Sequence, residues 1–214
     1  MDGIVDPAVE DYLRQLVVVD DPVLDRMERH ARERDFPIVG PAVGRFLQLQ
    51  ARAVGARRVF ELGSGFGYSA YWFTQAVGAH GEVVCTDLDP SNAEAAERFL
   101  APSGLWDRVR FEVGDALDVL EATDGAFDVI FCDADKDRYP DHWRAAAERV
   151  RVGGVYLCDN TLWFGRAATG EPTPGRPGWT EAIREHNRLV ADDRRFVSSL
   201  VPLRDGVVVA LRVA

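Results

Sequence analysis

Hydrophobic positions near the start of the chain recur at the spacing of an α-helix. Val9, Leu13 and Leu16 form an apolar stripe, and a weaker stripe follows Pro41. Pro22 and Pro41 stand where proline commonly begins a helix. The pattern predicts three helices, over residues 6–19, 22–34 and 41–54.

From residue 57 onward, short apolar runs alternate with longer amphipathic segments. The runs are dense in valine, isoleucine, phenylalanine and cysteine, with little polar alternation, as in strands buried on both faces. The predicted strands are Arg58–Leu62, Glu82–Asp87, Val109–Val113, Phe127–Cys132 and Val155–Asp159. The predicted helices between them are 68–78, 90–101, 115–121 and 138–151. This alternation predicts an α/β fold with a doubly wound parallel sheet.

The C-terminal part of the chain departs from this rhythm. A predicted helix over 179–191 precedes two more strands, Phe196–Pro202 and Gly206–Val213, and the short link between them indicates an antiparallel hairpin. The glycines and prolines of Arg166–Gly178 predict a loop, and loops in such a position often shape a substrate pocket.

Length and charge narrow the class of protein. The 214 residues suit one domain, and the formal net charge of −10 comes without a cluster of cations that would suit nucleic acid. The apolar runs are too short to cross a bilayer and no signal-like segment begins the chain, so we expect a cytoplasmic protein with no membrane partner. The cysteines and histidines lack metal-ligand spacing, which indicates buried thiols and surface or structural imidazoles.

A glycine-rich turn follows the first predicted strand and opens a helix. Gly63, Gly65 and Gly67 allow the backbone to turn sharply and approach a ligand. Glu61, just before these glycines, suits a ligand with a cationic amino-acid end and would sit badly beside a pyrophosphate. Asp87, at the end of the second strand, can accept ribose hydroxyls. Together they favour S-adenosylmethionine.

Two other interpretations of the turn remain open, a nicotinamide or flavin site and a purely structural turn. The dinucleotide pattern requires a third glycine at the position where Tyr68 stands, so the fit to such a site is imperfect.

Acidic motifs follow the fourth and fifth predicted strands. If these strands are neighbours, Asp133 and Asp159 converge at the carboxyl edge of the sheet, with Asn160 beside them. Two carboxylates and an amide oxygen form a hard, all-oxygen site that suits Mg²⁺, with Mn²⁺ or Ca²⁺ as alternatives, and does not suit zinc.

Taken together, four motifs resemble the cation-dependent O-methyltransferase family, which includes the catechol and caffeoyl-coenzyme A O-methyltransferases. The motifs are the glycine turn, Asp-Ala-Asp-Lys-Asp-Arg-Tyr (133–139), Asp-Asn-Thr-Leu-Trp-Phe-Gly (159–165) and Pro-Leu-Arg-Asp-Gly (202–206). The resemblance covers roughly residues 35–214. It implies a Rossmann-like, seven-stranded methyltransferase fold in one domain, 1–214, with cap helices in 1–54 and the core in 55–214.

The resemblance also implies roles for individual residues. Metal ligands are expected at Asp133, Asp159 and Asn160, and the catalytic lysine at Lys136. Expected cofactor contacts are Val39, Glu61, Gly63, Ser69, Asp87 and Ala116, with Asp133 and Asp135 nearby. The implied acceptor is a small vicinal dihydroxy aromatic, and the implied assembly is a homodimer.

Chemistry gives an independent reason to single out Lys136. Of the 25 lysine and arginine residues, it is the only lysine. A phenol with a pKa near 10 must lose its proton to attack a methyl sulfonium, and a neutral amine can take that proton whereas arginine stays protonated. The competing hypotheses are a metal-independent methyltransferase, a nicotinamide dehydrogenase and a catalytically silent cofactor-binding protein.

Overall fold

The computed structural model describes residues 4–214, and the first three residues of the predicted cap lie outside this range. Three helices come first: α1 (Pro7–Leu16), α2 (Pro22–Glu33) and α3 (Gly40–Ala53). The side chains of Asp6 and Asp21 cap the first two by accepting backbone N–H groups. The prediction of helix over 6–19 was too long, because α1 ends before a run of three valines whose branched side chains disfavour helix.

The rest of the chain forms a seven-stranded sheet in the order β3-β2-β1-β4-β5-β7-β6. Its strands are β1 (Arg58–Leu62), β2 (Glu82–Asp87), β3 (Val109–Val113), β4 (Phe127–Cys132), β5 (Val150–Cys158), β6 (Phe196–Val201) and β7 (Val207–Arg212). The first five pair in parallel, β7 pairs antiparallel with β5, and β6 pairs antiparallel with β7. The doubly wound parallel sheet and the C-terminal hairpin are therefore confirmed.

Helices cover both faces of the sheet. They are α4 (Tyr68–Val77), α5 (Pro90–Leu100), α6 (Ala116–Ala122), α7 (Tyr139–Arg149), α8 (Arg166–Thr169) and α9 (Trp179–Asp192). One buried cluster joins α2, α3, α4 and α5 to one face, and a second joins α7 and α9 to the other. On the first face, a Cβ on Gly44 would lie 2.1 Å from the Trp72 indole nitrogen, so glycine permits this close contact between α3 and α4.

Beyond shifts of one or two residues at other element ends, three further segments differ from the sequence prediction. Strand β5 begins at Val150 because the glycines at 153 and 154 fall at a register shift in its pairing with β4, and do not form a turn. The predicted helix 138–151 begins instead with a 3₁₀ turn over Lys136–Arg138. The predicted loop 166–178 contains the short helix α8, which lies between left-handed glycines at 165 and 170.

Among residues 4–214, no helix combines the length and apolar character needed to span a lipid bilayer.

Asp128 connects three strands at the sheet edge opposite the predicted ligand site. Its carboxylate accepts hydrogen bonds from the backbone N–H groups of Arg57 and Arg58, at 2.8 and 2.7 Å, and pairs with Arg151. Burial raises its pKa, but the hydrogen bonds from Arg151 and from the two N–H groups outweigh that effect and lower it below the usual value.

We therefore expect Asp128→Ala to lower the free energy of unfolding by about 2 kcal/mol at pH 7, because two backbone N–H groups and the Arg151 guanidinium lose a charged acceptor. A depressed folded-state pKa contributes stability above the unfolded value of about 3.9, and this contribution is lost as the pH falls. Urea unfolding at pH 7 and pH 3 should show the difference between wild type and variant shrinking in acid. The exposed Asp107→Ala serves as control, and an equal loss in both variants would contradict the assignment.

Candidate active site

The glycine turn forms the floor of a cleft at the carboxyl edge of the sheet. Gly63, Gly65 and Gly67 all have positive φ, at 86°, 49° and 83°. A Cβ on Gly63 would lie 2.9 Å from the Cα of Ala134 and from the Asp133 carbonyl oxygen. Glycine is therefore required here for the turn after β1 to pack against the segment after β4, in addition to any approach of a ligand.

Asp87 is held in place at the end of β2. It accepts hydrogen bonds from the Gly65 backbone N–H and from the Asn92 side chain, each at 3.0 Å. These donors orient the half-buried carboxylate toward the glycine turn, the position predicted for a ribose-binding acid.

Glu61 lies beneath this turn and is fully buried. One carboxylate oxygen accepts the Cys85 thiol at 3.2 Å, and the other, Oε1, is buried with no hydrogen-bond partner among the described residues. Burial raises the pKa of Glu61 to about 7, although the nearby polar groups of Ser69, Cys85 and Ser64 act in the opposite direction. An unpartnered oxygen in a buried carboxylate fits a cationic ligand group.

Asp133 and Asp159 lie side by side because they follow paired strands. Cys132 on β4 pairs with Cys158 on β5, and the Asp159 backbone N–H donates to the Cys132 carbonyl oxygen at 3.1 Å. Burial, and then the nearby Asp133 carboxylate, raise the pKa of Asp159 to about 7. The Oδ1 atom of Asp159 is buried and lacks a partner within residues 4–214.

Asn160 completes the predicted metal-binding set from a left-handed conformation, with φ of 56°. The set joins two carboxylates and one amide, and the unpartnered Asp159 oxygen leaves an acceptor available, so these residues fit a hard divalent cation. By contrast, residues 4–214 contain no group of three histidine, cysteine, aspartate or glutamate side chains placed to hold a metal.

Lys136 is the buried cation of this cluster, with 8% of its surface exposed. Its Nζ donates to Asp133 Oδ1 at 2.8 Å and to the Ala134 carbonyl oxygen at 3.1 Å, and it lies 5.0 Å from the centre of the Tyr139 ring. Burial lowers the pKa of Lys136, but the charge of Asp133 and its hydrogen bond outweigh this effect, so the pKa lies above its usual value. Without a competing cation, the lysine is therefore held as an ammonium ion.

Nearly all of the predicted site residues line one cleft, which we call the active-site cleft, with a volume of about 610 Å³. The predicted residues along its wall are Val39, Gly63, Ser69, Asp87, Ala116, Asp133, Asp135, Lys136, Asp159 and Asn160. Glu61 is not part of this wall and lies buried behind it, whereas the side chain of Asp135 is exposed at the rim.

The turn between β6 and β7 also reaches the active-site cleft, where Arg204 and Asp205 line the wall, although no role was predicted for these residues. Its Asp205 carboxylate accepts the Phe164 backbone N–H, and its Asp205 and Gly206 carbonyl oxygens accept N–H groups at 162 and 161, at 2.8 and 3.0 Å. The turn therefore supports the segment that carries Asn160. The motif at 202–206 was the signal that could have identified it.

The cysteines and the buried histidines lie close to this site. All three cysteines are free and buried. His186 accepts or donates a hydrogen bond with the Tyr156 hydroxyl at 3.0 Å, and His142 lies 3.6 Å from the Cys132 sulfur. These contacts agree with structural roles.

Comparison with known proteins decides the family. Residues 16–213 match the sequence model of the O-methyltransferase family. This chain belongs to that family. It is 36% identical over 188 residues to a protein of Mycobacterium tuberculosis named "probable O-methyltransferase", a match that covers 85% of this chain and 83% of the relative.

Solved structures of family members share the fold. The O-methyltransferase TomG of Streptomyces achromogenes, which is involved in tomaymycin synthesis and was solved with S-adenosylmethionine, superposes with a TM-score of 0.85 at 29% identity and covers 97% of this chain and 96% of its own. An O-methyltransferase of Bacillus cereus solved with S-adenosylhomocysteine gives a TM-score of 0.85 at 28% identity, covering 96% and 97%. The fold is therefore the Rossmann-like methyltransferase fold that the sequence predicted.

Proposed function

We propose that this O-methyltransferase transfers the methyl group of S-adenosylmethionine to one hydroxyl of a small vicinal dihydroxy aromatic, with the help of a divalent cation, Mg²⁺ or alternatively Mn²⁺ or Ca²⁺. The observation that carries the proposal is the juxtaposition of Asp133, Asp159, Asn160 and Lys136 in the cleft that the glycine turn also lines. The proteins of S. achromogenes and B. cereus, solved with the methyl donor and its product, support the choice of cofactor.

The residues on the β1 and β2 side of the cleft would hold the methyl donor. Glu61, with its unpartnered buried oxygen, would attract the cationic amino-acid end. Asp87, oriented by Gly65 and Asn92, would accept the ribose hydroxyls. Val39 and Ala116 line the same wall, where the adenosine would lie.

The residues after β4 and β5 would hold the cation and the acceptor. A divalent cation held by Asp133, Asp159 and Asn160 would supply positive charge that acidifies a hydroxyl and disfavours the ammonium form of Lys136. Lys136, kept next to Asp133 by its hydrogen bond, is then the group placed to accept the hydroxyl proton. The aromatic side chains of Trp163, Phe164 and Trp179 line the same cleft and offer a surface for an aromatic ring.

The decisive experiment is a catechol methylation assay with S-adenosylmethionine, first with EDTA and then with Mg²⁺ restored. We expect activity only in the presence of the cation. Activity that persists in EDTA would favour a metal-independent methyltransferase. Calorimetric binding of NAD in place of S-adenosylmethionine would favour the dehydrogenase alternative.

We also propose that the enzyme acts as a homodimer and has no nucleic-acid or membrane partner.

The role of Glu61 predicts a pH dependence of cofactor binding. Because burial raises its pKa to about 7, Glu61 is largely neutral in the free protein at pH 5.5 and largely ionised at pH 7.5. Affinity for S-adenosylmethionine should therefore rise by up to about tenfold per pH unit across this interval. The α-amino group of the ligand stays mostly protonated throughout, because its ordinary pKa of about 7.7–8.0 lies above the interval.

Calorimetry at pH 5.5, 6.5 and 7.5 measures this slope. Glu61→Gln should weaken binding at pH 7.5 by roughly tenfold or more and remove the slope, since the charged acceptor is gone. The exposed Glu97→Gln is the matched control and should keep the wild-type slope. A slope that survives in Glu61→Gln would exclude Glu61 as its cause.

A further inference from the structure

A second cleft adjoins the active-site cleft. This outer cleft has a volume of about 460 Å³ and lies among α1, α2, the start of α3 and the β6–β7 turn. The two clefts share Phe36, Pro37, Ile38 and Arg204. Arg204 therefore stands at the boundary between the predicted methyl-transfer site and an additional space.

Arg204 differs from the other cations of the active-site cleft. Lys136 pairs with Asp133, and Arg138 pairs with Asp115. Within residues 4–214, Arg204 forms no ion pair with a carboxylate, and its Nη1 donates to the Ile38 carbonyl oxygen at 2.7 Å. Its charge acts on the nearby carboxylates of Asp133, Asp159 and Asp205, but no carboxylate in this range occupies its N–H groups directly, so they can still donate to a ligand.

The Arg204 side chain is exposed, and one hydrogen bond and one packing contact describe its position. The residue adopts a left-handed conformation, with φ of 49°. A Cβ on Gly40 would lie 3.2 Å from Nη1, so the guanidinium packs directly against the start of α3. The planar array of N–H groups of a guanidinium matches the two oxygens of a carboxylate.

Charges in the outer cleft limit how far an anion would extend. Glu28 accepts the Tyr68 hydroxyl at 3.0 Å and pairs with Arg32 at 3.7 Å. Arg14 also lines this cleft but pairs with Asp11, whereas Glu10 and Asp35 would repel a negative group that passed beyond Arg204. An acidic group is therefore favoured at the boundary itself, on a short substituent of the acceptor.

We propose that Arg204 selects acceptors that carry an acidic substituent, with a carboxylate on or near the aromatic ring bound by its guanidinium. This inference rests on the proposed function for the identity of the ring, because the hydroxyls to be methylated would face Asp133, Asp159 and Lys136. The carboxylate would then point away from those acids and toward Arg204.

The test compares 3,4-dihydroxybenzoate with neutral 3,4-dihydroxybenzamide, using the full-length protein with Mg²⁺. Binding of each compound is measured by calorimetry with S-adenosylhomocysteine present, and the KM of each with S-adenosylmethionine. Wild type should prefer the acid. Arg204→Gln should reduce the ratio of the two affinities by roughly tenfold, the loss expected for a charged hydrogen bond, and Arg204→Lys should restore part of it.

Arg32→Gln is the matched control, because Arg32 lines the outer cleft but already pairs with Glu28. It should keep the wild-type ratio. Equal affinity for acid and amide in wild type, or an unchanged ratio in Arg204→Gln, would overturn the proposal even if both compounds are methylated. If binding of the acid depends on Arg204 but neither compound is methylated, the Arg204 proposal stands and the proposed function is wrong. If neither compound binds, the Arg204 proposal and the proposed function are both wrong.

Discussion

Replacing Lys136 by arginine should lower kcat near pH 7.5 by a factor of about 10²–10⁴, the usual contribution of a positioned general base. Arginine retains the positive charge and can still pair with Asp133, so the structure of the site should persist. It cannot accept a proton, because its pKa stays above about 12. Affinity for S-adenosylmethionine should remain within about twofold of wild type, since the cofactor would be held by the other side of the cleft.

The pH profile gives this prediction a specific signature. As the pH approaches the phenol pKa of about 10, the acceptor loses its proton without assistance, and the deficit of Lys136→Arg should shrink. Initial rates at pH 7.5 and 9.5, with cofactor affinity from calorimetry, measure both effects. Arg138→Lys is the control, because it also exchanges arginine and lysine in the active-site cleft but at a position with no proposed role in proton transfer. Wild-type rates in Lys136→Arg at pH 7.5 would eliminate the lysine as the base.

The central parallel strands β1, β2 and β4 were predictable because they are buried on both faces. Runs such as Phe127–Cys132 contain almost only apolar residues, and such runs have few alternatives to a central strand. Convergence of Asp133 and Asp159 on one cleft followed from the same topology, since both residues come directly after paired strands. Their roles as ligands stay predictions, because position alone does not place an ion.

Features that depend on long-range contacts were not predictable. The predicted start of β5, Val155, follows two glycines that would suit a turn as well as a strand. The pairing with β4 extends the strand through these glycines to Val150. Arg204 and Asp205 reach the cleft only because β7 pairs with β5, which brings a turn distant in sequence next to Asn160. The sequence placed Glu61 correctly at the end of β1. It did not show that the side chain is buried behind the cleft wall, because that depends on what packs against its face of the strand.

Replacing Asp159 by asparagine should abolish the stimulation of activity by Mg²⁺ and weaken cation binding by at least about a hundredfold. The cation-free variant should nevertheless be at least as stable as the cation-free wild type. The carboxylate is 3% exposed, has one oxygen without a partner in the described part of the chain, and lies beside Asp133. Removing its charge relieves a desolvation penalty and a repulsion between like charges.

The two effects have opposite signs, and this separates a ligand role from a structural one. A residue needed only for folding would lose stability and activity together, whereas a ligand held in an unfavourable environment loses function and gains stability. Thermal unfolding in EDTA and a titration with Mn²⁺ followed by electron paramagnetic resonance measure the two sides independently. Asp141→Asn, an exposed acid on α7, controls for general loss of negative charge. If Asp159→Asn binds Mn²⁺ as wild type does, Asp159 is not a ligand, and the buried carboxylate must serve another purpose.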